Sequence, residues 1–287
     1  MQTRRYIQLD VFAPRPGAGN PLAVVYDAGD IDDAAMQAFA AWTNLSETVF
    51  FLPPTAAQAD YRIRIFTPRM ELPFAGHPSV GAAWAALDAG LARERDGRLV
   101  QECAAGLLPV RIDRDGDDVQ PSVRSPQARV REDVAAPAWL VADTVWGAAR
   151  GALAPALWNN GPDWWLLELA DEAAVRGLRP DLTAIAGLPG SGKLAVFARG
   201  ESDSDLVVRA FAPAVGIAED PATGSVNASI AALLHRHGRL PGRGRRYIAN
   251  QGREIGRDAR LALEVDDEDG VWVGGRVHAV IRGTVDW

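Results

Sequence analysis

Two glycine turns carry the residue types best suited to holding an anion. One is Glu219-Asp220-Pro221-Ala222-Thr223-Gly224-Ser225-Val226-Asn227, between a strand-like run from Leu206 to Phe211 and a helix-like run from Ser225 to His237. The other is Glu71-Leu72-Pro73-Phe74-Ala75-Gly76-His77-Pro78, between Tyr61 to Thr67 and a helix-like run from Ser79 to Leu87. Small residues and proline at such a junction leave backbone N–H groups facing a ligand, and the helix start adds partial positive charge, so each turn suits an anion. Each also holds a titratable group, Asp220 or His77. A histidine beside a helix start tends to stay neutral and to act as a hydrogen-bonding group. Asp, Thr and Ser are equally the ordinary capping residues of a helix start, so either turn taken singly is compatible with no function. Glu47 lies just before Val49 to Leu52, all apolar, which points to a partly buried carboxylate. A carboxylate shielded from water holds its proton more readily, which suits proton transfer near neutral pH. Most glutamates in loops simply keep their heads in water, and Glu47 alone would not be singled out.

The elements that must position these residues read as a repeated unit. Tyr6 to Phe12, Leu22 to Tyr26, Val49 to Leu52 and Tyr61 to Thr67 read as strands, and Ile31 to Trp42 as an amphipathic helix with Asp32 and Asp33 in its first turn. The run Val80 to Leu87 is small and apolar on every face, which predicts a helix buried all round. Arg64-Ile65-Phe66-Thr67-Pro68 matches Arg209-Ala210-Phe211-Ala212-Pro213 at an offset of 145 residues (211 − 66), about half of the 287-residue chain. Each copy leads to a glycine turn and then to a small-residue helix, so the chain reads as a duplicated domain. The polar, proline-bearing stretch from Ser125 to Pro137 marks the boundary, with domains at 1–128 and 129–287 and a strand near 275–287 packing back onto the first. A helix is expected within Pro137 to Leu153, a hairpin over Asp115-Gly116, and one long strand from Val271 to Ile281.

Composition narrows the function classes. The chain is 48% hydrophobic and 23% charged with a formal net charge of −7, and its densest basic patch, Arg243 to Arg246, lies in a Gly/Pro loop. Binding nucleic acid through phosphates is not expected. One cysteine, Cys103, permits no internal disulfide and no cysteine metal cluster. The start has no apolar signal core and no apolar run approaches the ~20 residues that span a bilayer, so a soluble cytoplasmic protein with no membrane partner is expected. Gly187 to Leu194 mimics a phosphate-binding loop, but Leu194 stands where a Ser or Thr must hold magnesium and a strand follows, so it reads as a glycine-rich turn. His235 and His237, two apart, face different ways and are not a metal pair.

Five motifs in order carry a resemblance: Asn20-Pro21-Leu22-Ala23-Val24-Val25, Asn44-Leu45-Ser46-Glu47-Thr48, Glu71 to Pro78, Glu219 to Ser225, and Gln251-Gly252-Arg253-Glu254-Ile255-Gly256-Arg257. Together they resemble the PhzF family over nearly the whole chain. The resemblance implies an α+β, diaminopimelate-epimerase-like fold, with two similar domains that each curl a mostly antiparallel sheet around a central helix and an active site in the cleft between them. It implies a homodimer, no cofactor and no metal, and a small carboxylic acid as substrate. It also implies roles. Glu47 would be the general acid/base that takes and returns a carbon-bound proton. His77, Asp220 and Ser225 would orient the substrate or relay protons, and the backbone N–H groups near Gly76 and Gly224 would hold its carboxylate. Relatives of that fold that are racemases use two cysteines at the helix starts. Here those places hold Ala75 and Pro221 or their neighbours, which disfavours thiol chemistry. A carboxylate-based racemase and a catalytically quiet acid-binding protein are the alternatives.

Overall fold

In the computed structural model, residues 2–116, 118–201 and 203–287 are described. The chain divides into two compact units, residues 1–124 with 274–287, and residues 125–273.

The first unit is a sheet curled around one helix. Its strands run in the spatial order Val277–Asp286, Thr3–Val11, Asn20–Val25, Glu47–Leu52, Tyr61–Phe66, Arg98–Cys103, Gly106–Asp115 and Asp118–Arg124. Neighbours are antiparallel except at two places, Asn20–Val25 beside Glu47–Leu52 and Tyr61–Phe66 beside Arg98–Cys103. The helix Gly76–Asp88 touches strands from both ends of this order, including Asp118–Arg124, Thr3–Val11 and Asn20–Val25. Such enclosure requires small side chains. At Gly81 a Cβ would stand 2.4 Å from Leu22 Cδ2 and 3.0 Å from Val11 Cγ2, so the helix lies closer to the sheet than an alanine would permit. A second helix, Asp33–Thr43, covers the outside. It is capped by Asp32, whose side chain accepts from Ala35 N, and closed by Asn44 in the left-handed region.

The second unit repeats the plan. Arg129–Val130, Ala156–Asn159, Asp163–Glu168, Leu194–Arg199, Leu206–Ala212, Arg246–Gln251 and Ala259–Val265 follow one another with the same senses, and the two parallel junctions fall at the corresponding places. Its central helix is Gly224–Arg236, buried along Val226 to Ala231.

The repeat extends to side chains. Arg64 donates from Nε and Nη2 to the two carboxylate oxygens of Glu71 (2.7 and 2.7 Å), and its guanidinium lies 5.1 Å from the Phe66 ring. Arg209 does the same to Glu219 (2.9 and 2.8 Å), over Phe211 at 5.1 Å. Each fork ties a strand to the acid five residues before the helix-opening glycine, Gly76 or Gly224. Planar guanidinium suits this two-point grip.

Two expected elements differ. Only Ala138–Val141 is helical in the Pro137 to Leu153 region, followed by the two-residue strands Thr144–Val145 and Ala148–Ala149. Trp139 and Trp146 pack there with ring centroids 5.1 Å apart and planes tilted by 34°, and Leu140 and Val145 join the core of the unit, so tertiary packing of single anchors overrides the alanine-rich helical preference. The run Val271 to Ile281 breaks at Gly275-Arg276 into Val271–Gly274 and Val277–Asp286. The phosphate-loop mimic is a turn: Gly190 and Gly192 take positive φ, and Lys193 lies 5.4 Å from the Trp164 ring.

Candidate active site

Glu47 opens its strand and His77 sits in the first turn of the first central helix, and the fold brings them together. Glu47 Oε2 and His77 Nε2 are 3.4 Å apart, with side-chain exposures of 17% and 7%. The strand places Glu47 beside Leu22 of its parallel neighbour, and the helix packs against both strands. Burial drives the His77 pKa down to about 3 from 6.5, so the imidazole is neutral at ordinary pH and its contact with Glu47 is not an ion pair.

That shift couples to stability. The unfolded chain takes up a proton on His77 below 6.5 while the folded chain resists it down to about 3. Its contribution to stability is complete above 6.5 and is lost as pH falls through that window, by up to about 1.4 kcal/mol per pH unit. Urea midpoints measured from pH 7 to 4 should fall less for His77→Gln than for the unaltered protein. Parallel curves would place His77 in water.

Neither central helix start is capped by a side chain, in contrast with the helices Asp33–Thr43, Glu172–Gly177 and Leu182–Ala186, which Asp32, Asp171 and Asp181 cap. Thr223 therefore does not serve as the ordinary capping residue that its type would allow. In the first turn Pro78 has no N–H, so Gly76 and His77 carry the N–H groups available to an anion. The second turn offers those of Gly224 and Ser225.

The second unit holds its turn with residues to which sequence reasoning gave no role. Gln251 accepts from Thr223 N (3.1 Å) and Asn227 Nδ2 (2.9 Å), and donates to Asp220 O (2.8 Å) and Thr223 Oγ1 (2.9 Å). Thr223 Oγ1 donates to Asp220 Oδ2 at 2.5 Å. Ser225 is fixed from the other side: Trp164 Nε1 donates to its Oγ at 3.2 Å and Asn160 Nδ2 to its carbonyl at 2.8 Å. Because the Ser225 hydroxyl accepts from Trp164, its own hydrogen can point to a ligand. The signal for this shell was a glutamine that ends an apolar strand inside a quoted motif. Buried amides need partners, and Gln251 and Asn227 are 1% and 0% exposed.

Cys103 lies outside both turns, half-buried at the end of Arg98–Cys103, with its thiol pKa raised mainly by burial. His235 pairs with Asp269 at 2.8 Å and His237 closes the helix end. Among the described residues, no three His, Cys, Asp or Glu side chains gather as a metal site, and no helix is long and apolar enough to cross a membrane.

Comparison with known proteins gives a consistent set. The family model described as phenazine biosynthesis-like protein (PhzC-PhzF) matches residues 9–283. A curated relative from Pseudomonas aeruginosa, named trans-2,3-dihydro-3-hydroxyanthranilate isomerase, is 38% identical, covering 96% of this chain and 94% of its own. A PhzF-family phenazine biosynthesis protein of Bacillus anthracis has a similar structure, with a TM-score of 0.86, 22% identity and 100% of both chains covered. A hydroxyproline epimerase from Agrobacterium vitis shares the fold at a TM-score of 0.66 and 16% identity, covering 99% of this chain and 91% of that one. At such identities the two structures speak to fold alone, and both agree with an epimerase-like α+β architecture.

Proposed function

Because the chain belongs to the PhzC-PhzF family, which includes named isomerases, we propose that it is an isomerase that shifts a carbon-bound proton on a small carboxylic acid of the dihydro-hydroxyanthranilate type. The observation that carries this reading is the pair of a part-buried carboxylate and a buried neutral imidazole, 3.4 Å apart at an uncapped helix start.

The Glu47 carboxylate takes the proton from an sp³ carbon next to the conjugated acid. The electron pair left behind spreads through the π system toward the substrate carboxylate, and Glu47 returns the proton at a second carbon. Atoms and electrons balance within substrate and enzyme, with no redox change. The N–H groups of Gly76 and His77 favour the developing negative charge, as helix starts do. His77, being neutral, lies 3.4 Å from Glu47 and does not hold it as a fixed ion pair. Asp220 and the Ser225 hydroxyl, with the Gly224 N–H beside them, are assigned to binding polar groups of a small acid. In this reading the protein needs no cofactor and works in the cytoplasm as a homodimer.

Incubation of the purified protein with trans-2,3-dihydro-3-hydroxyanthranilate, followed by proton NMR, should show conversion to an isomer of the same mass. Absence of turnover on this compound and on a panel of small cyclic and amino carboxylic acids, with binding retained, would favour a binding protein. Loss of optical rotation on an amino acid would favour a racemase.

A further inference from the structure

We propose that Lys193 and Trp164 are positioning residues that turn the Ser225 hydroxyl into a hydrogen-bond donor to the ligand, so that the second glycine turn takes an anionic oxygen such as that of a carboxylate. The proposal rests on the reading that this turn binds polar groups of a small acid.

The duplication points to these residues. Thr48 pairs with Phe66 in the first unit and Leu194 with Phe211 in the second, and the two phenylalanines hold the same place in the repeated Arg-x-Phe pattern. Glu47 and Lys193, one residue earlier, are therefore equivalent. On the parallel neighbour, Ala23 pairs with Thr48 and Trp165 with Leu194, which makes Leu22 and Trp164 equivalent. His77 and Ser225 each follow the glycine that opens a central helix. The same three places thus hold Leu22, Glu47 and His77 in one unit and Trp164, Lys193 and Ser225 in the other. In the first, a carboxylate meets an imidazole at 3.4 Å. In the second, Lys193 Nζ lies 5.4 Å from the Trp164 ring centroid, and the indole Nε1 donates to Ser225 Oγ at 3.2 Å.

The direction of that last bond is fixed by chemistry. An indole N–H can only donate, with no tautomer and no flip to choose. Trp164 is 4% exposed, so its N–H needs a partner inside the protein, and Ser225 Oγ supplies it. The Ser225 hydrogen then points elsewhere, and among the described residues it meets no acceptor. Asn160 holds the main chain of the same residue, donating from Nδ2 to Ser225 O at 2.8 Å. The Ser225 hydroxyl and the uncapped N–H groups of Gly224 and Ser225 all present hydrogens. That arrangement suits an anionic oxygen and leaves a donor such as an ammonium unmatched. Lys193 holds the indole by the attraction of a cation for a ring face. Burial lowers its pKa, as for an ammonium drawn partly out of water. Ser191 Oγ accepts from Lys193 N at 3.2 Å, so the glycine-rich turn that mimics a phosphate loop delivers the lysine to the ring.

The test follows the Trp164 indole proton by ¹H–¹⁵N NMR in the whole chain, assigned with Trp164→Phe. Sodium acetate is the probe and ethylammonium chloride the donor-only control. A hydroxyl that donates to acetate becomes a better acceptor, because hydrogen bonds in a chain polarise one another, so the indole proton should move downfield and saturate. Ethylammonium should leave it in place. Ser225→Ala should abolish the response and weaken acetate binding, read from the Gly224 amide, about tenfold, the worth of a hydrogen bond to a charged acceptor. Trp164→Phe frees the hydroxyl among three staggered orientations and should weaken binding about threefold. Lys193→Met should act in the same direction, and Lys193→Arg, which stacks on the same ring, should restore binding. An upfield or absent response to acetate, the same response in Ser225→Ala, or undiminished acetate binding in either Trp164→Phe or Lys193→Met overturns the proposal. The readout needs no turnover. Failure of the isomerase reading appears instead as an absence of turnover with these responses intact.

Discussion

Arg209→Met lowers the stability of the second unit by about 3–5 kcal/mol, the range for removing one member of a buried ion pair. Arg209 and Glu219 have side-chain exposures of 7% and 9%. The guanidinium also donates to the carbonyls of Val175 (3.2 Å) and Leu178 (2.7 Å). Methionine fills the volume and leaves a carboxylate with its cation gone and two carbonyls unsatisfied. The equivalent change in the first unit, Arg64→Met, is milder, because Arg64 is 18% exposed and its partners Glu71 and Asp33 are 34% and 83% exposed. Water can replace what is lost there, and about 1 kcal/mol is expected. Urea denaturation of the two variants tests the ranking. Arg209→Met combined with Glu219→Leu should recover part of the loss, since the carboxylate that loses its cation is then gone, while Glu254, 4.0 Å from Arg209, keeps Arg176 at 3.0 Å. Equal midpoints for the two single variants would contradict the burial argument. Glu219 adjoins Asp220, so Arg209→Met should also slow turnover even where the protein remains folded.

Glu47→Gln gives a folded protein whose turnover falls by at least about 10²–10⁴-fold, the usual worth of a positioned acid/base. Glutamine keeps the shape and can still meet His77, but it has no basic oxygen to take a proton from carbon. Folding is spared because Glu47 is 17% exposed at the start of a strand and its His77 partner carries no charge. A change in stability of less than about 1 kcal/mol is expected. Single-turnover kinetics with thermal denaturation as control separates the two effects. A large loss of stability would make Glu47 a structural residue.

The duplicated plan was legible because two features survive in sequence. The Arg-x-Phe pattern recurs at a fixed offset, and the central helices are apolar on all faces. Both follow from one constraint, a helix enclosed by its sheet, which Gly81 shows at the level of single atoms. The residues at the two turns were found for the same reason, since a glycine opening a buried helix marks the place where backbone N–H groups emerge. The Glu47–His77 pairing was implied by the family resemblance and was not legible in the residues themselves. It joins residues 30 positions apart by a parallel strand pairing and the tilt of a helix, and no periodicity encodes either. Gln251 was missed for a related reason. Its importance lies in four hydrogen bonds to a segment 24–31 residues earlier, while its local pattern is only that of a strand end. The helix expected in Pro137 to Leu153 failed because two tryptophans and a few apolar anchors decide that region.

The central claim is that the Glu47 carboxylate takes a proton from substrate carbon and returns it. The most direct measurement uses trans-2,3-dihydro-3-hydroxyanthranilate carrying deuterium on the carbon that loses its proton, with the label followed by NMR in ordinary water. The unaltered protein should move the deuterium to the second carbon or release it to solvent, and Glu47→Gln should leave it in place over the same time. Migration or release at an undiminished rate in Glu47→Gln would contradict the account.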